Sequence, residues 1–400
     1  MFRTPLAYFN SNDGTARLAF GQKALLRLSK KDPLGELQKF IDEHLGSYIL
    51  LNLSYDLKTE IEHLSSENED QLGFPLGFAW VPKYMVEIRN EHVEFIHGSP
   101  DKESVEFLDY FMEEEIDQNF HPFTHKFESR TTREDYINNV LKIKKHLQQG
   151  DIYEMNYCQE FFAENVEINY PLDSYFKLNQ ITQAPYSSFF AIDEFMTFCG
   201  SPERFIKRQG NTITSEPIKG TKKRGASPEE DQKLIEDLRN DPKERSENVM
   251  IVDLVRNDLS RIAKPKTVRV DELFGIYTFE TVHQMISKIS CEVDESAKFT
   301  DILRATFPMG SMTGAPKYRA MELIEKYEEF KRGLYSGSIG YIKPNGDFDM
   351  NVVIRTLLYN KDKQYLSCPV GGAITIQSDP EKEYEECLVK VGKIIEGMNE

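Results

Sequence analysis

Helix signals alternate with strand signals along this 400-residue chain, and their order restricts the fold more than any other feature. A helix is predicted between Thr132, which suits an N-cap, and Gly150, which suits the left-handed C-terminal position. Later helices are predicted from Ser227-Pro228 and Asp379-Pro380, where a capping residue precedes proline. We expect an α+β fold rather than a doubly wound parallel sheet, because the intervening runs resemble antiparallel strands: Asn156–Ala163, Phe189–Phe198, Phe205–Arg208 and Thr212–Ser215.

The N-terminal third combines both kinds of signal. A helix is predicted from Asp32-Pro33, a buried strand over Tyr48–Leu53 and a hairpin between Gly77 and His97. The segment Glu113–Thr132 is acidic and then polar, without clear periodicity. We therefore predict that residues 1–125 form an N-terminal α+β part of one body. Residues 126–400 would form the catalytic region of the same body.

Composition excludes several classes of function. The chain has 49 Lys+Arg and 66 Asp+Glu, a formal charge of −17. Nucleic acids and anionic membranes are recognised by clustered cations, so neither is expected as the main partner. The five cysteines are scattered, which fits neither a disulfide framework nor a metal motif. Without a signal peptide or an apolar run of the roughly 18 residues that cross a bilayer, we expect a soluble cytoplasmic protein.

Carboxylates occur at helical spacing in two places. Glu383, Glu386 and Lys390 share one face of the last predicted helix, and Glu247 lies on an earlier one. Taken singly, each is typical of a solvated helix face. Two helices that present carboxylates to one pocket would suit Mg²⁺, but periodicity alone does not show that the helices face each other.

Lys219 follows a predicted strand and precedes a flexible turn, in the segment Pro217–Thr221. By composition it is an exposed loop lysine beside other basic residues. The alternative is a nucleophilic amine, which requires a lowered pKa and a fixed approach to its substrate. The local sequence leaves both interpretations open.

Several motifs occur in a fixed order over about residues 130–397. They are Gly150–Tyr153, Ala184–Ser187, Ser201–Phe205, Pro217–Thr221, Glu247–Asp258, Gly310–Lys317, Tyr335–Tyr341, Ile354–Thr356 and Ser378–Lys390. Together they resemble the chorismate-utilising enzymes, and the N-terminal third is similar more weakly. The resemblance implies two packed antiparallel sheets with outer helices. It also favours the functional interpretation of the carboxylates and of Lys219.

The family shares a magnesium site and a chorismate pocket, and its branches differ in nucleophile. Members that form anthranilate, isochorismate or salicylate carry alanine at the position of Lys219. Members that form 4-amino-4-deoxychorismate typically carry lysine, so the resemblance implies amination of chorismate through a Lys219 adduct, in p-aminobenzoate and folate synthesis. Water-using members have a lysine where this chain has Glu154, and ammonia-using members usually have glutamine there.

The resemblance also assigns roles to single residues. Lys219 would be the nucleophile, partly neutral through desolvation and a nearby metal, and Glu203 would protonate the departing 4-hydroxyl, for which burial should raise its pKa. His283 matches the family's pocket histidine, with a buried structural histidine as the alternative. Glu247 and Glu386 would hold Mg²⁺, with Glu383 on the same face. The expected substrate contacts are Thr313, Tyr335, Arg355, Gly371, Gly372 and Lys390.

A partner is implied as well. No cysteine lies in a Gly-rich nucleophile turn, so ammonia would come from a separate glutamine amidotransferase subunit. Two alternatives stay open: the anthranilate-forming component I, which Lys219 disfavours, and a non-catalytic sensor of chorismate or tryptophan. The sensor is disfavoured because it needs neither a nucleophile nor an acid. One departure from the family is Gly371-Gly372-Ala373, where the usual pattern is Gly-x-Gly.

Overall fold

The structure is a computed structural model that describes residues 4–90, 92–114 and 125–399. Its helices are α1 (Pro33–Glu43), α2 (Lys58–Ile61), α3 (Lys102–Glu114), α4 (Arg133–Gln149), α5 (Pro171–Thr182), α6 (Pro228–Asn240), α7 (Pro242–Ser260), α8 (Phe299–Thr306), α9 (Lys317–Tyr327) and α10 (Pro380–Asn399). In this part of the chain, no helix combines the length and the apolar character that crossing a membrane requires.

The strands are antiparallel in every pairing between them within the described residues. They are β1 (Leu6–Asn10), β2 (Thr15–Arg27), β3 (Ile49–Leu53), β4 (Gly77–Arg89), β5 (His92–His97), β6 (Glu128–Ser129), β7 (Glu154–Ala163), β8 (Tyr186–Ile192), β9 (Phe195–Ser201), β10 (Arg204–Gln209), β11 (Thr212–Glu216), β12 (Ile218–Lys223), β13 (Arg269–Thr278), β14 (Val282–Glu292), β15 (Gly314–Ala315), β16 (Ser338–Ile342), β17 (Phe348–Asn351), β18 (Thr356–Asn360) and β19 (Tyr365–Ile374).

The pairings form one continuous ladder whose two halves pack against each other. The first half runs in the order β7, β19, β18, β9, β8, β1, β2 and β4, and the second in the order β3, β16, β17, β10, β11 and β14. Phe190 and Trp80 of the first half share a core with Ile206 and Ile289 of the second. A second core joins β7, β8 and β19 to α4, α5 and α10. The predicted α+β fold with two packed antiparallel sheets is therefore confirmed.

The predicted helix boundaries are close to those observed. Thr132 accepts a hydrogen bond from the backbone of Asp135 at the start of α4, and Gly150 ends that helix with φ of 81°. Ser227 caps α6 in the same way, through the amide of Glu230. These side chains satisfy amides that would otherwise lack partners in the first turn, which is why the cap pattern located the helices well.

One strand prediction is wrong. Phe189–Phe198 is not a single strand but belongs to two, because the chain reverses between β8 and β9. Asp193 takes a left-handed φ of 51° at that turn. The apolar residues on both sides of the turn are buried, so the run is continuous in sequence although the backbone folds back. The division near residue 125 adjoins residues 115–124, which lie outside the described residues, and it stays a prediction.

A buried ion pair between Arg332 and Glu328 joins three segments that are far apart in the sequence. Arg332 and Glu328 lie 2.5 Å apart, and each side chain is 1% exposed. Arg332 also donates to the backbone carbonyls of Met312 and Asn156, at 2.7 and 3.0 Å. Glu328 accepts from the backbone amide of Cys158 at 2.9 Å. The pair thus ties β7 to the turn before β15 and to the segment after α9.

Replacing Glu328 by alanine should lower the free energy of unfolding by about 3–5 kcal/mol, because it leaves the Arg332 charge buried and unpaired. Urea unfolding followed by circular dichroism measures this loss. The adjacent Glu329 is exposed and accepts one hydrogen bond from Thr131. Its alanine variant is the control and should lose about 1 kcal/mol or less. Equal losses for the two variants would contradict the role given to the pair.

Candidate active site

A cavity of about 1150 Å³ opens between the start of β12, the middle of β19 and the facing sides of α7 and α10. Its lining includes all of the predicted site residues except Thr313 and His283. Those that line it are Glu203, Lys219, Glu247, Tyr335, Arg355, Gly371, Gly372, Glu383, Glu386 and Lys390. Residues separated by up to 187 positions in the sequence therefore converge on one cavity.

The backbone around Lys219 directs its side chain into this cavity. The register between β12 and β14 shifts between Ile218 and Thr221, which marks a local irregularity in the ladder. Such bulges turn a side chain away from the regular alternation of a strand. Gly220 has φ of 93°, and a Cβ there would lie 3.0 Å from Leu238. Glycine is therefore required directly after Lys219, which explains the Lys-Gly pair in the sequence.

Lys219 is held by an acidic partner. Its Nζ donates to Glu154 Oε1 at 2.6 Å, and the side chains are 12% and 2% exposed. Burial lowers the pKa of Lys219, but the carboxylates of Glu154 and Glu247 raise it more, so the net pKa lies above its ordinary value. The expectation of a lowered pKa is therefore wrong for the chain by itself. Desolvation acts in the expected direction, but sequence reasoning did not anticipate the strength of the opposing charges.

Glu203 has the property that a general acid needs. It is 5% exposed, and burial raises its pKa to about 7, opposed by a hydrogen bond from Ser311 and by the charge of Lys219. A carboxyl group with a pKa near 7 is partly protonated at neutral pH and can donate a proton. The prediction that burial raises this pKa is confirmed.

Three carboxylates line the part of the cavity between α7 and α10. Lys243 Nζ lies 3.8 Å from Glu247 Oε1 and 3.9 Å from Glu383 Oε1. Glu386 Oε1 lies 2.7 Å from Lys390 Nζ. Burial raises the pKa of Glu247 to about 7. The two helices therefore do present carboxylates to a common cavity, as the Mg²⁺ hypothesis requires.

These carboxylates provide a chemically suitable place for a divalent cation. Within residues 4–90, 92–114 and 125–399, no three His, Cys, Asp or Glu side chains stand close enough to form a ready-made metal site. However, Glu247 Oε1 is buried without a hydrogen-bond partner. A buried carboxylate oxygen in that state costs free energy, and a bound cation would remove the cost. Mg²⁺ commonly binds through one or two carboxylates and keeps several waters, so the residues present fit the ion.

Cationic side chains line the same cavity as these carboxylates. Arg355 has no ion-pair partner among the described residues, and burial lowers its pKa. Lys390 donates to the Gly371 carbonyl at 2.9 Å. Burial also lowers the pKa of Lys393, with the charges of Arg355 and Lys223 acting in the same direction. Cationic side chains that line a cavity suit a ligand that carries carboxylates.

Two predicted site residues lie outside the cavity lining. His283 is fully buried, with Nε2 2.7 Å from Asp231 Oδ1 and Nδ1 2.9 Å from Thr278 Oγ1. Both ring nitrogens of His283 thus contact other side chains of the protein, which agrees with the alternative that His283 is a buried structural histidine. The Thr313 hydroxyl donates to the carbonyl of Met309 at 3.2 Å, inside its own turn. The structure does not bring these two side chains together with the others.

Sequence reasoning missed Lys243, Glu244, Asn156 and Lys393, which also line the cavity. The first two were detectable in part, because Lys243 and Glu244 lie four and three residues before Glu247 on the same helix face. Asn156 and Lys393 carry no local signal that separates them from residues without a role in the site. Only the packing of α7, β7 and α10 around one space identifies them.

The fold and the site together define the class of this protein. The chain matches the family described as chorismate binding enzyme over residues 4–396, and it belongs to that family. It is 40% identical to aminodeoxychorismate synthase component 1 of Klebsiella aerogenes over 272 residues, which cover 68% of this chain and 59% of that protein. It is 37% identical to anthranilate synthase component 1 of Aquifex aeolicus, over 68% of this chain and 54% of that one. The matches thus span somewhat more than half of these relatives.

Comparison with solved structures agrees with this assignment. Anthranilate synthase component I from Streptococcus pneumoniae superimposes with a TM-score of 0.79 and 26% identity, covering 99% of this chain and 93% of that one. The menaquinone-specific isochorismate synthase from Escherichia coli has a TM-score of 0.76 at 17% identity, over 99% and 89% of the two chains. At that identity the second likeness concerns the fold alone.

Two neighbouring glycines should respond differently to an added methyl group. A Cβ on Gly371 would lie 2.4 Å from Cys158 Sγ and 2.8 Å from the Tyr157 carbonyl, whereas on Gly372 it would lie 3.5 Å from Glu383. Gly371→Ala should therefore lower stability by about 1–3 kcal/mol through overpacking, and Gly372→Ala should fold normally. Thermal unfolding of the two variants measures the difference. Equal melting temperatures would show that β7 and β19 move apart freely.

Proposed function

We propose that this protein transfers ammonia to chorismate and forms 4-amino-4-deoxychorismate. The observation that carries the proposal is Lys219, an amine that lines a cavity together with the buried acid Glu203. An amine and a proton donor are the two groups needed to form a covalent adduct and expel a hydroxyl group. The similarity to aminodeoxychorismate synthase component 1 supports the same reaction.

Substrate binding follows from the charges of the cavity. Chorismate carries two carboxylates, one on the ring and one on the enolpyruvyl side chain. Arg355 would donate to the side-chain carboxylate, with Tyr335 beside it in the lining. Glu247 and Glu386 would hold Mg²⁺, with Glu383 on the same face of α10. When bound, the ion neutralises the charge of the ring carboxylate.

The proposed reaction proceeds in two displacements. The Lys219 nitrogen bonds to C2 of the ring, the double bonds shift, and the C4–O bond breaks while Glu203 gives its proton to the departing oxygen, which leaves as water. Ammonia then bonds to C4, the double bonds shift back, and the C2–N bond breaks to release Lys219. The new C4 ammonium returns a proton to Glu203. A covalent intermediate replaces one difficult displacement with two easier ones.

The ammonia would come from a glutamine amidotransferase subunit. The name component 1 of the relatives implies a second component, and direct delivery would keep ammonia from becoming ammonium in bulk water. The second candidate activity is formation of anthranilate, favoured by the similarity to anthranilate synthase component 1. The two activities differ in product, which makes them directly distinguishable.

Incubation of the protein with chorismate, Mg²⁺ and ammonium chloride should yield aminodeoxychorismate with no release of pyruvate. The reason is that the proposed sequence ends with an intact enolpyruvyl group and contains no aromatisation step. Mass spectrometry identifies the product, and a lactate dehydrogenase assay detects pyruvate. Anthranilate together with pyruvate would instead assign the second candidate activity.

Glu247→Gln and Glu386→Gln should each abolish turnover and weaken Mg²⁺ binding, because both carboxylates are proposed to serve the ion. Isothermal titration with Mg²⁺ in the absence of substrate measures binding separately from catalysis. Glu385→Gln is the matched control, since its exposed side chain lies on the same helix but not in the cavity lining. Near-normal Mg²⁺ affinity in either of the first two variants would remove that residue from the ligand set.

Chorismate without ammonia should leave a fraction of the protein modified at Lys219. Intact-protein mass spectrometry followed by peptide mapping detects the adduct. Lys219→Ala should remove it and lower the rate by at least ~100-fold, although ammonia could still attack the bound ring directly. If no adduct forms and Lys219→Ala retains the wild-type rate, the lysine is only an electrostatic contact to the substrate.

A further inference from the structure

Glu154 is a buried carboxylate that has no role in the reaction described so far. It begins β7 and is 2% exposed. Its Oε1 accepts a hydrogen bond from Lys219 Nζ at 2.6 Å. Its Oε2 is buried and has no hydrogen-bond partner. One oxygen is therefore committed to the nucleophile, and the other is left free.

The carboxylates around Lys219 favour its ammonium form, and in that form the nucleophile cannot react. The lone pair of an amine attacks carbon, and an ammonium group has none, so Lys219 must first lose a proton. Burial alone would favour this loss, but it is opposed by carboxylates that approach Lys219 from several elements. The charged groups that act on Lys219 are Glu154 on β7, Glu203 before β10, Glu244 and Glu247 on α7, and Glu386 on α10.

We propose that Glu154 is the base that accepts this proton and later returns it to Lys219. The inference rests on the proposed function, since it concerns the activation of the same nucleophile. Glu154 is the carboxylate that contacts Nζ directly, at a distance from which a proton passes without rearrangement. It is a catalytic residue in the sense that its oxygen touches the reacting nitrogen.

The other nearby carboxylates are less suited to the task. Glu203 is proposed to carry a proton already when the reaction begins, and its hydrogen bond comes from Ser311 rather than from Lys219. Glu247 is proposed to hold the metal ion. The Oε2 atom of Glu154 is buried without a hydrogen-bond partner among the described residues, so the hydrogen bond from Lys219 is not balanced by a second contact that would assign this carboxylate another task.

The proton balance closes over one turnover. The Lys219 ammonium gives a proton to the Glu154 carboxylate, which leaves a neutral amine beside a carboxylic acid. The amine nitrogen bonds to C2 and becomes a secondary ammonium. When ammonia displaces it at C4, the C2–N bond breaks and Lys219 leaves as a neutral amine. Glu154 then returns the proton, and both groups regain their starting charges.

The substitution Glu154→Gln separates this role from a purely electrostatic one, because the two predict opposite results. If Glu154 only stabilised the ammonium, its removal would lower the pKa of Lys219, increase the neutral amine and accelerate adduct formation. If Glu154 accepts the proton, adduct formation at neutral pH should slow by about 100-fold. The defect should shrink as the pH rises, because hydroxide then removes the proton.

The measurement is the rate of adduct formation with chorismate and Mg²⁺, without ammonium, followed by quenched-flow intact-protein mass spectrometry from pH 6 to 10. Glu244→Gln is the matched control, since Glu244 lines the same cavity and no hydrogen bond joins it to Lys219. It removes one nearby charge and should not slow the reaction. Added formate should restore part of the rate in Glu154→Ala, where it can occupy the space left by the side chain.

The outcomes distinguish the inference from the proposed function. A wild-type adduct combined with an unchanged or faster rate in Glu154→Gln would overturn the role of Glu154 and leave the proposed function intact. Complete absence of a wild-type adduct would overturn both. Thermal unfolding of Glu154→Gln checks that the variant is folded. If it is not, formate rescue of Glu154→Ala decides the matter, and an absence of rescue counts against the proposal.

Discussion

The buried pair between Arg332 and Glu328 is the interaction on which the site most depends. Glu328 binds the amide of Cys158 on β7, and Arg332 binds the carbonyls of Asn156 and Met312. A charged pair inside a protein is costly unless its hydrogen-bonding groups are satisfied, and here several backbone groups satisfy them. The pair therefore stabilises one arrangement of these segments, in which Asn156 lines the cavity and Glu154 contacts the cavity residue Lys219.

The chemistry of the site depends on opposed charges in a buried space. Arg355, Lys390 and Lys393 line the same cavity as Glu247, Glu383 and Glu386, so cationic and anionic side chains share one space. Lys219 lies between carboxylates, and their charges raise its pKa against the effect of burial. In the proposed mechanism the activation of Lys219 requires a proton transfer, and the 2.6 Å contact with Glu154 would provide its route.

Local signals predicted many elements because their causes are local. Thr132 and Gly150 bound α4 as expected, since a cap and a left-handed residue act within one turn of the helix. The same reasoning failed for Phe189–Phe198, where a two-residue turn interrupts a continuous apolar run. For the chain by itself the pKa of Lys219 is raised rather than lowered, because the groups that raise it come from β7 and α7 rather than from its own segment.

The sequence by itself determined the α+β class, the family and ten of the residues that line the cavity, because ordered motifs and capping patterns are local features of the chain. Only the tertiary structure decided which side chains share the space. It turned His283 toward Asp231 and Thr313 toward its own turn, and it brought Lys243 between Glu247 and Glu383. It also paired Glu154 with Lys219 across 65 positions of sequence. Distances between remote residues follow from how strands and helices pack, and no local pattern encodes them.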